Sequence, residues 1–301
     1  MAKRRYFLLL AWLAAWAWPA PCGEGQDADA GKGPILVELQ DKVFLNLWPA
    51  KAPGALGDTP EDTPAVQVFL PKAGTATGSS FIVCPGGGYG GRANHEGPPV
   101  AEWFAANGIT GFVLRYRVGP RYHHPIELGD AQRAIRFVRA HAAEWKLDPN
   151  RVGILGFSAG GHLASSAATH FDEGDPKAAD PIDRVPCRPN LQVLVYPVIT
   201  LSGPDAHGGS RTNLLGKNAP AELVEQLSNQ KQVTAKTPPA FLVHSTKDKG
   251  VPPSNSDMYA EALKAAGVPY EYIREDMGGH GFGMKEAWTK PCEKWLRANK
   301  F

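Results

Sequence analysis

Apolar residues run along this chain in short continuous blocks, each closed by a glycine, proline or polar turn and followed by a stretch of helical periodicity. The blocks at 80–84, 111–116, 191–196 and 240–244, and the one starting at Val152, have the length and continuity of strands buried on both faces. Segments 35–39, 43–48 and 65–70 read as early strands at the sheet edge, and 270–274 as the last strand. Between them, 100–107 places Val100, Trp103 and Phe104 at helical spacing, with Gly108 as its stop. Residues 128–145 give a clear amphipathic helix, with Leu128, Ala131, Ile135, Val138 and Ala142 on one face and arginines on the other. Segments 256–266, stopped by Gly267, and 288–298 complete the helices. Strand and helix alternating from residue 66 onward require a mostly parallel sheet with helices on both faces, an α/β fold. The one long irregular stretch is 199–237, which holds a short helix candidate at 220–228 and is either a modest lid or part of a site's rim.

The N-terminus breaks this pattern. Lys3-Arg4-Arg5 precedes the uncharged apolar run 6–18, which is short for a bilayer span and is followed at once by small and polar residues. Residues 1–22 therefore read as a signal peptide and 23–33 as a flexible linker, leaving one domain at 34–301. The expected location is secreted or periplasmic, with no stable membrane insertion after cleavage. A composition of 43% hydrophobic and 21% charged residues fits a well-buried core, and a net charge of +2 without a basic block in the mature chain argues against nucleic acid. Export permits disulfides; among Cys22, Cys84, Cys187 and Cys292, only Cys187 with Cys292 is a pair worth testing, and Cys84 reads as a buried small hydrophobe.

Chemistry concentrates at three places. The strand from Val152 ends in Gly156-Phe157-Ser158-Ala159-Gly160 and runs into the small-residue helix after His162. That is the arrangement of a serine nucleophile on a strand-to-helix turn, where side chains at Gly156 or Gly160 would clash. Pro85-Gly86-Gly87-Gly88-Tyr89-Gly90-Gly91 follows the block 80–84, where the backbone can approach a ligand and present N–H groups. A phosphate loop is excluded because no Gly-Lys-Ser/Thr follows. Gly87 and Gly88, with Ala159 after the nucleophile, are the expected oxyanion donors. Tyr89 and Glu96 are the candidates for binding substrate; for Glu96 the alternatives are the opening of a helix or fixing the glycine loop.

A serine nucleophile needs a base and an orienting acid. Asp248 follows the block 240–244, and His280 lies in Gly278-Gly279-His280-Gly281-Phe282 after the last strand. The order Ser158…Asp248…His280 is that of α/β-hydrolases. Glu275 and Asp276 read as solvated, His162 as a packing residue and His244 as a structural hydrogen-bonder. His123-His124 lacks further ligands at metal spacing, so neither metal nor cofactor is expected.

With these residues assembled, the chain resembles the secreted bacterial α/β-hydrolases of the acetylxylan esterase and carbohydrate esterase group, related to the hormone-sensitive-lipase-like and prolyl-oligopeptidase-like hydrolases. The resemblance covers residues 80–116, 148–168 and 238–282, carried by Pro85 to Tyr89, His95-Glu96-Gly97, Gly156 to His162, Asp248 with Val251-Pro252, and Gly278 to Phe282. It implies a cofactor-independent ester hydrolase whose substrate is an acetylated polysaccharide such as xylan. Pro85 stands where lipase-like members carry histidine, and Lys247 and Lys249 flank Asp248 where small or acidic residues are usual. The alternatives are a prolyl-oligopeptidase-like serine peptidase and a non-catalytic binding protein of the same fold.

Overall fold

The computed structural model describes residues 36–39 and 42–301; residues 1–33, read above as a signal peptide and linker, with Cys22, lie outside the described residues. The described chain forms a nine-stranded sheet flanked by helices. In chain order the strands are β1 (Leu36–Leu39), β2 (Lys42–Asn46), β3 (Ala65–Phe69), β4 (Ser80–Cys84), β5 (Thr110–Arg115), β6 (Val152–Phe157), β7 (Gln192–Val195), β8 (Ala240–Ser245) and β9 (Tyr270–Glu275). The helices are α1 (Pro98–Ala106), α2 (Ile126–Ala140), α3 (Ser158–Thr169), α4 (Gly208–Leu215), α5 (Ala221–Gln226), α6 (Ser254–Ala265) and α7 (Glu286–Ala298).

The strand order is β1-β2-β3-β5-β4-β6-β7-β8-β9. The first three strands pair antiparallel, β3 meets β5 antiparallel, and β5 through β9 are parallel. The chain leaves β4 toward β5 on one side and returns to β6 on the other, so β4 and β6 border the point where the winding reverses, the usual place for a ligand crevice. Their register is closed end to end: Ser80 pairs with Val152 and Cys84 with Gly156. The glycine loop and Ser158 therefore emerge side by side.

Every residue of β3, β4, β6, β7 and β8 is buried, which explains their mainly apolar runs, interrupted by Gln67 in β3 and by polar residues at strand ends. One face packs Ile82, Phe112, Ile154, Leu194 and Leu242 against α2, α3 and α6. The other packs Phe81, Val83, Leu155, Val193 and Phe241 against α1 and α7, where Phe81 stacks on Phe104 with ring centroids 4.5 Å apart.

Three expectations shift. Helix α1 starts at Pro98, before Val100, because proline suits a first helical turn. Helix α2 ends at Ala140; residues 141–146 continue as turns that keep Ala142 buried and Trp145 against Phe137, and Lys146 in the left-handed region (φ 55°) turns the chain. The suggested Cys187–Cys292 disulfide is not formed, and Cys84 is likewise a free, buried thiol. Cys187 sits in the loop before β7, where its sulfur accepts from the Asp172 amide (3.2 Å), whereas Cys292 lies in α7, in the core cluster with Phe81 and Phe241. Burial pushes the Cys187 thiol up to about 11.

Helix α2 also buries a carboxyl with no partner. Glu127 is fully buried and neither oxygen makes a hydrogen bond. Burial pushes its pKa from 4.5 up to about 8; its own backbone N–H and Arg117 pull the other way, and Asp130 adds to the rise. Above the ordinary carboxylate range the unfolded chain releases this proton while the folded chain keeps it, so folding becomes less favourable as pH rises toward 8. Glu127→Gln should remove that loss. Urea midpoints at pH 5 and pH 8 test this: the wild type should decline more than the variant, and equal declines would refute it.

Candidate active site

Ser158 is the first residue of α3 and stands directly after β6, with φ of 51°. A non-glycine residue in that region costs on the order of 1–2 kcal/mol and persists only where surrounding packing fixes it. The packing here is tight. A Cβ on Gly156 would collide with the Gly160 carbonyl, and one on Gly160 with the Cys84 and Pro85 carbonyls. Gly161 also lies close to Pro197, 2.7 Å from where its Cβ would stand. The glycines let α3 start against the ends of β4 and β6, which holds the serine at the turn's apex.

Ser158 Oγ lies 2.8 Å from His280 Nε2, and His280 Nδ1 lies 2.6 Å from Asp248 Oδ2. A carboxylate only accepts, so Nδ1 carries the proton donated to Asp248 and Nε2 is left to accept from the serine hydroxyl. Asp248 is buried, and its Oδ1 accepts from the Gly250 and Val251 amides, each at 2.9 Å. Burial alone would raise its pKa, but the hydrogen bonds from His244, His280 and Val251 outweigh it and hold the group well below the usual carboxylate range. Lys247 and Lys249 point to solvent on either side. Ser245 shapes the histidine loop from β8: its hydroxyl donates to the Gly278 carbonyl (2.5 Å) and accepts from the Met277 amide (3.0 Å).

Three other histidines have structural partners. His162 is buried between the Tyr89 hydroxyl (2.8 Å) and the Leu227 carbonyl (2.8 Å), and burial pushes its pKa down to about 4. His244 bonds Ser256 Oγ and the Val251 carbonyl, with Nε2 also 3.3 Å from Asp248 Oδ2. His123 meets the Asn213 carbonyl at 2.7 Å. Glu275 and Asp276 are exposed, Asp276 accepting from the Gly278 amide. Among the described residues no cluster of His, Cys, Asp and Glu is placed to hold a metal ion.

The glycine loop reaches Ser158 from β4. Gly87, Gly88 and Tyr89 all take positive φ (124°, 62° and 59°), and a Cβ on Gly86 would press on the Phe157 carbonyl and the Ser158 Cβ. Gly87, Gly88 and Ala159 thus lie on the two backbone segments that flank the serine. Tyr89 and Glu96, expected to bind substrate, are both buried and turn inward instead. The Tyr89 hydroxyl is taken by His162. Glu96 Oε2 accepts from the Gly86 amide (2.7 Å) and Oε1 from the Tyr196 hydroxyl (2.8 Å), with the exposed His95 ring 3.5 Å from Oε1. Glu96 fixes the loop, the alternative that the sequence left open.

Tyr196 is the member of this network that the sequence did not reveal as more than a strand end. Its ring packs edge-on to His280 and Phe282, with centroids 5.0 and 4.5 Å away, and its oxygen accepts from the Gly283 amide at 3.3 Å. Tyr196 joins the glycine loop, through Glu96, to the loop of the histidine. The stretch 199–237 also contributes: Asn213 donates to the Gly88 carbonyl (2.9 Å), and His207 Cε1 stands 3.9 Å from where a Gly88 Cβ would be. Leu201, Leu214, Val224 and Leu227 of this stretch are in the core, so it buttresses the rim.

The winding of the sheet, the serine turn after β6, the acid after β8 and the histidine after β9 define an α/β-hydrolase. More narrowly, the chain belongs to the BD-FAE family, whose model matches residues 66–263. It is 36% identical over 234 residues to an acetylxylan esterase of Xylanibacter ruminicola, covering 76% of this chain and 45% of that protein. It is 38% identical over 209 residues to endo-1,4-beta-xylanase B of Butyrivibrio fibrisolvens, covering 67% of this chain and 32% of that one. The chain thus spans less than half the length of either relative. Among solved structures, the acetyl ester-xyloside bifunctional hydrolase of Caldicellulosiruptor lactoaceticus aligns with a TM-score of 0.81 at 46% identity, covering 86% of this chain and 96% of that one.

Tyr196→Phe tests the link between the loops. The variant keeps the ring and loses the hydroxyl bonds to Glu96 and Gly283. Labelling of Ser158 by a fluorophosphonate should slow about tenfold, equivalent to about 1.4 kcal/mol of barrier. Unchanged labelling in a variant with wild-type circular dichroism would show that the network does not position the site.

Proposed function

We propose that this chain is a serine carboxylic ester hydrolase that removes acetyl groups from a polysaccharide such as xylan, and that it acts outside the cytoplasm. The observation that carries the chemistry is the continuous hydrogen-bonded chain from Ser158 through His280 to Asp248. In this reading Ser158 Oγ attacks the ester carbonyl as His280 Nε2 takes its proton. Asp248, held ionised, keeps the imidazole in the required tautomer and stabilises the imidazolium. The amides of Ala159 and of the Gly87-Gly88 segment receive the developing oxyanion, aided by the N-terminus of α3. Collapse of the tetrahedral adduct expels the sugar hydroxyl, which leaves with the proton from His280. A water, deprotonated by His280, then attacks the acetyl-serine; acetate departs and Oγ recovers its proton.

The substrate class is supported by the relatives. One is an acetylxylan esterase, one a xylanase, and the structural neighbour an acetyl ester-xyloside hydrolase. Export is supported by Lys3-Arg4-Arg5 and the apolar run after it; among the described residues no helix is long and apolar enough to cross a membrane.

Acetate release from acetylated xylan, measured beside hydrolysis of a short aryl acetate, tests this reading. Both activities should fall roughly a thousandfold or more in Ser158→Ala, and on the order of 10⁴-fold in Asp248→Asn, which leaves the geometry but not the tautomer. Turnover that survives Ser158→Ala would refute the mechanism. Hydrolysis of the aryl ester alone would remove the polysaccharide from it.

A further inference from the structure

A cavity of about 340 Å³ opens on the face of the sheet where β2, β3 and β5 run side by side, next to the stem of the glycine loop. Its volume is in the range of small-molecule sites. Its floor is one row across the register, with Phe44 opposite Gln67 and Gln67 opposite Val113. Arg115, two residues beyond Val113, and Arg92, at the end of the glycine loop, add two guanidinium groups.

Three features of this lining are unexplained by the fold. Neither arginine forms an ion pair with a carboxylate of the described residues; Arg92 donates to the Tyr116 carbonyl (2.7 Å) and Arg115 to the Thr63 carbonyl (3.0 Å). Arg115 Nε is buried without a hydrogen-bond partner, while its guanidinium lies 4.7 Å from the Phe44 ring centroid. Gln67 is only 6% exposed, faces the cavity and has no side-chain hydrogen bond to the described residues. Buried amide and guanidinium groups are ordinarily satisfied, and Arg92, Arg115 and Gln67 all line this one cavity.

We propose that this cavity binds an organic monocarboxylate of sugar size, a uronic acid, at a site separate from Ser158. The charges set the valence: two guanidinium groups face one rim carboxylate, Glu61, which leaves a single positive charge for the ligand to balance. Burial, together with the Arg92 charge, pushes the Arg115 pKa down to about 10, the direction a bound anion would reverse. A forked guanidinium suits a planar carboxylate. Gln67 offers the donors and acceptor that ring hydroxyls require, and Phe44 and Val113 supply apolar surface for a ring face. The site neither uses nor requires the ester chemistry.

Isothermal titration of the Ser158→Ala protein with D-glucuronate, D-glucose and sodium sulfate tests the assignment without any reading of activity. Glucuronate should bind with a millimolar or tighter Kd and weaken with salt, glucose should not bind, and sulfate should bind more weakly than glucuronate. Arg115→Gln should weaken glucuronate at least tenfold. Should that variant fold poorly, phenylglyoxal modification of the intact wild-type chain, mapped by mass spectrometry, gives the second reading: glucuronate should protect Arg92 and Arg115. Glucose binding as well as glucuronate, sulfate binding as tightly, or modification indifferent to glucuronate would each overturn the proposal.

Discussion

The site depends on how closely two backbones approach. Helix α3 starts against the carbonyls that end β4, a distance set by Gly160 having no Cβ. That contact, with Gly156 against the turn that follows it, leaves Ser158 in a left-handed conformation that its own side chain would not choose. The strain is held by a sheet whose central strands are buried throughout and paired end to end, Cys84 opposite Gly156. A larger residue at either glycine would push α3 off the sheet, carrying the nucleophile away from His280 and from the glycine loop at once. The turn, the sheet register and the placement of the helix are thus one constraint.

Most of the architecture was legible because it follows from local rules. Fully buried strands leave continuous apolar runs, and α2 leaves an amphipathic stripe, so a mostly parallel sheet with helices on both faces could be read from residue 66 onward. Ser158, Asp248 and His280 were legible for a related reason: each stands in the turn or loop that follows a strand, flanked by small residues or a tight turn. The ends of helices were less legible. Where α2 stops, Ala142 and Trp145 still bury apolar surface from turns, so hydrophobic periodicity outlasts the helix itself.

The supporting residues were not legible, and their contacts explain why. Tyr196 meets Glu96 across 100 positions of sequence and Asn213 meets Gly88 across 125, pairings that no local pattern encodes. Tyr89 misled for the opposite reason. A tyrosine inside a glycine loop looks available to a ligand, yet its left-handed backbone turns the ring into the core, where its hydroxyl meets His162. The suggested pairing of Cys187 with Cys292 failed similarly, because chain order does not tell that one thiol meets the Asp172 loop and the other the core under α7.

The glycine loop raises a physical difficulty that these distant contacts answer. Glycines let the backbone approach a developing oxyanion, but they also give the loop many alternative conformations, and an oxyanion site is effective only when its donors are already in place. Here the loop is held at each point where it would otherwise yield. Glu96 takes the Gly86 amide, the Tyr116 hydroxyl donates to the Pro85 carbonyl at 2.6 Å, Tyr89 is anchored to α3 through His162, and Asn213 holds the Gly88 carbonyl. Two of these anchors reach onward, Glu96 through Tyr196 to the histidine loop and His162 to the Leu227 carbonyl. A loop pinned this way gains rigidity from buried polar bonds made by other segments, so its glycines present only backbone beside Ser158.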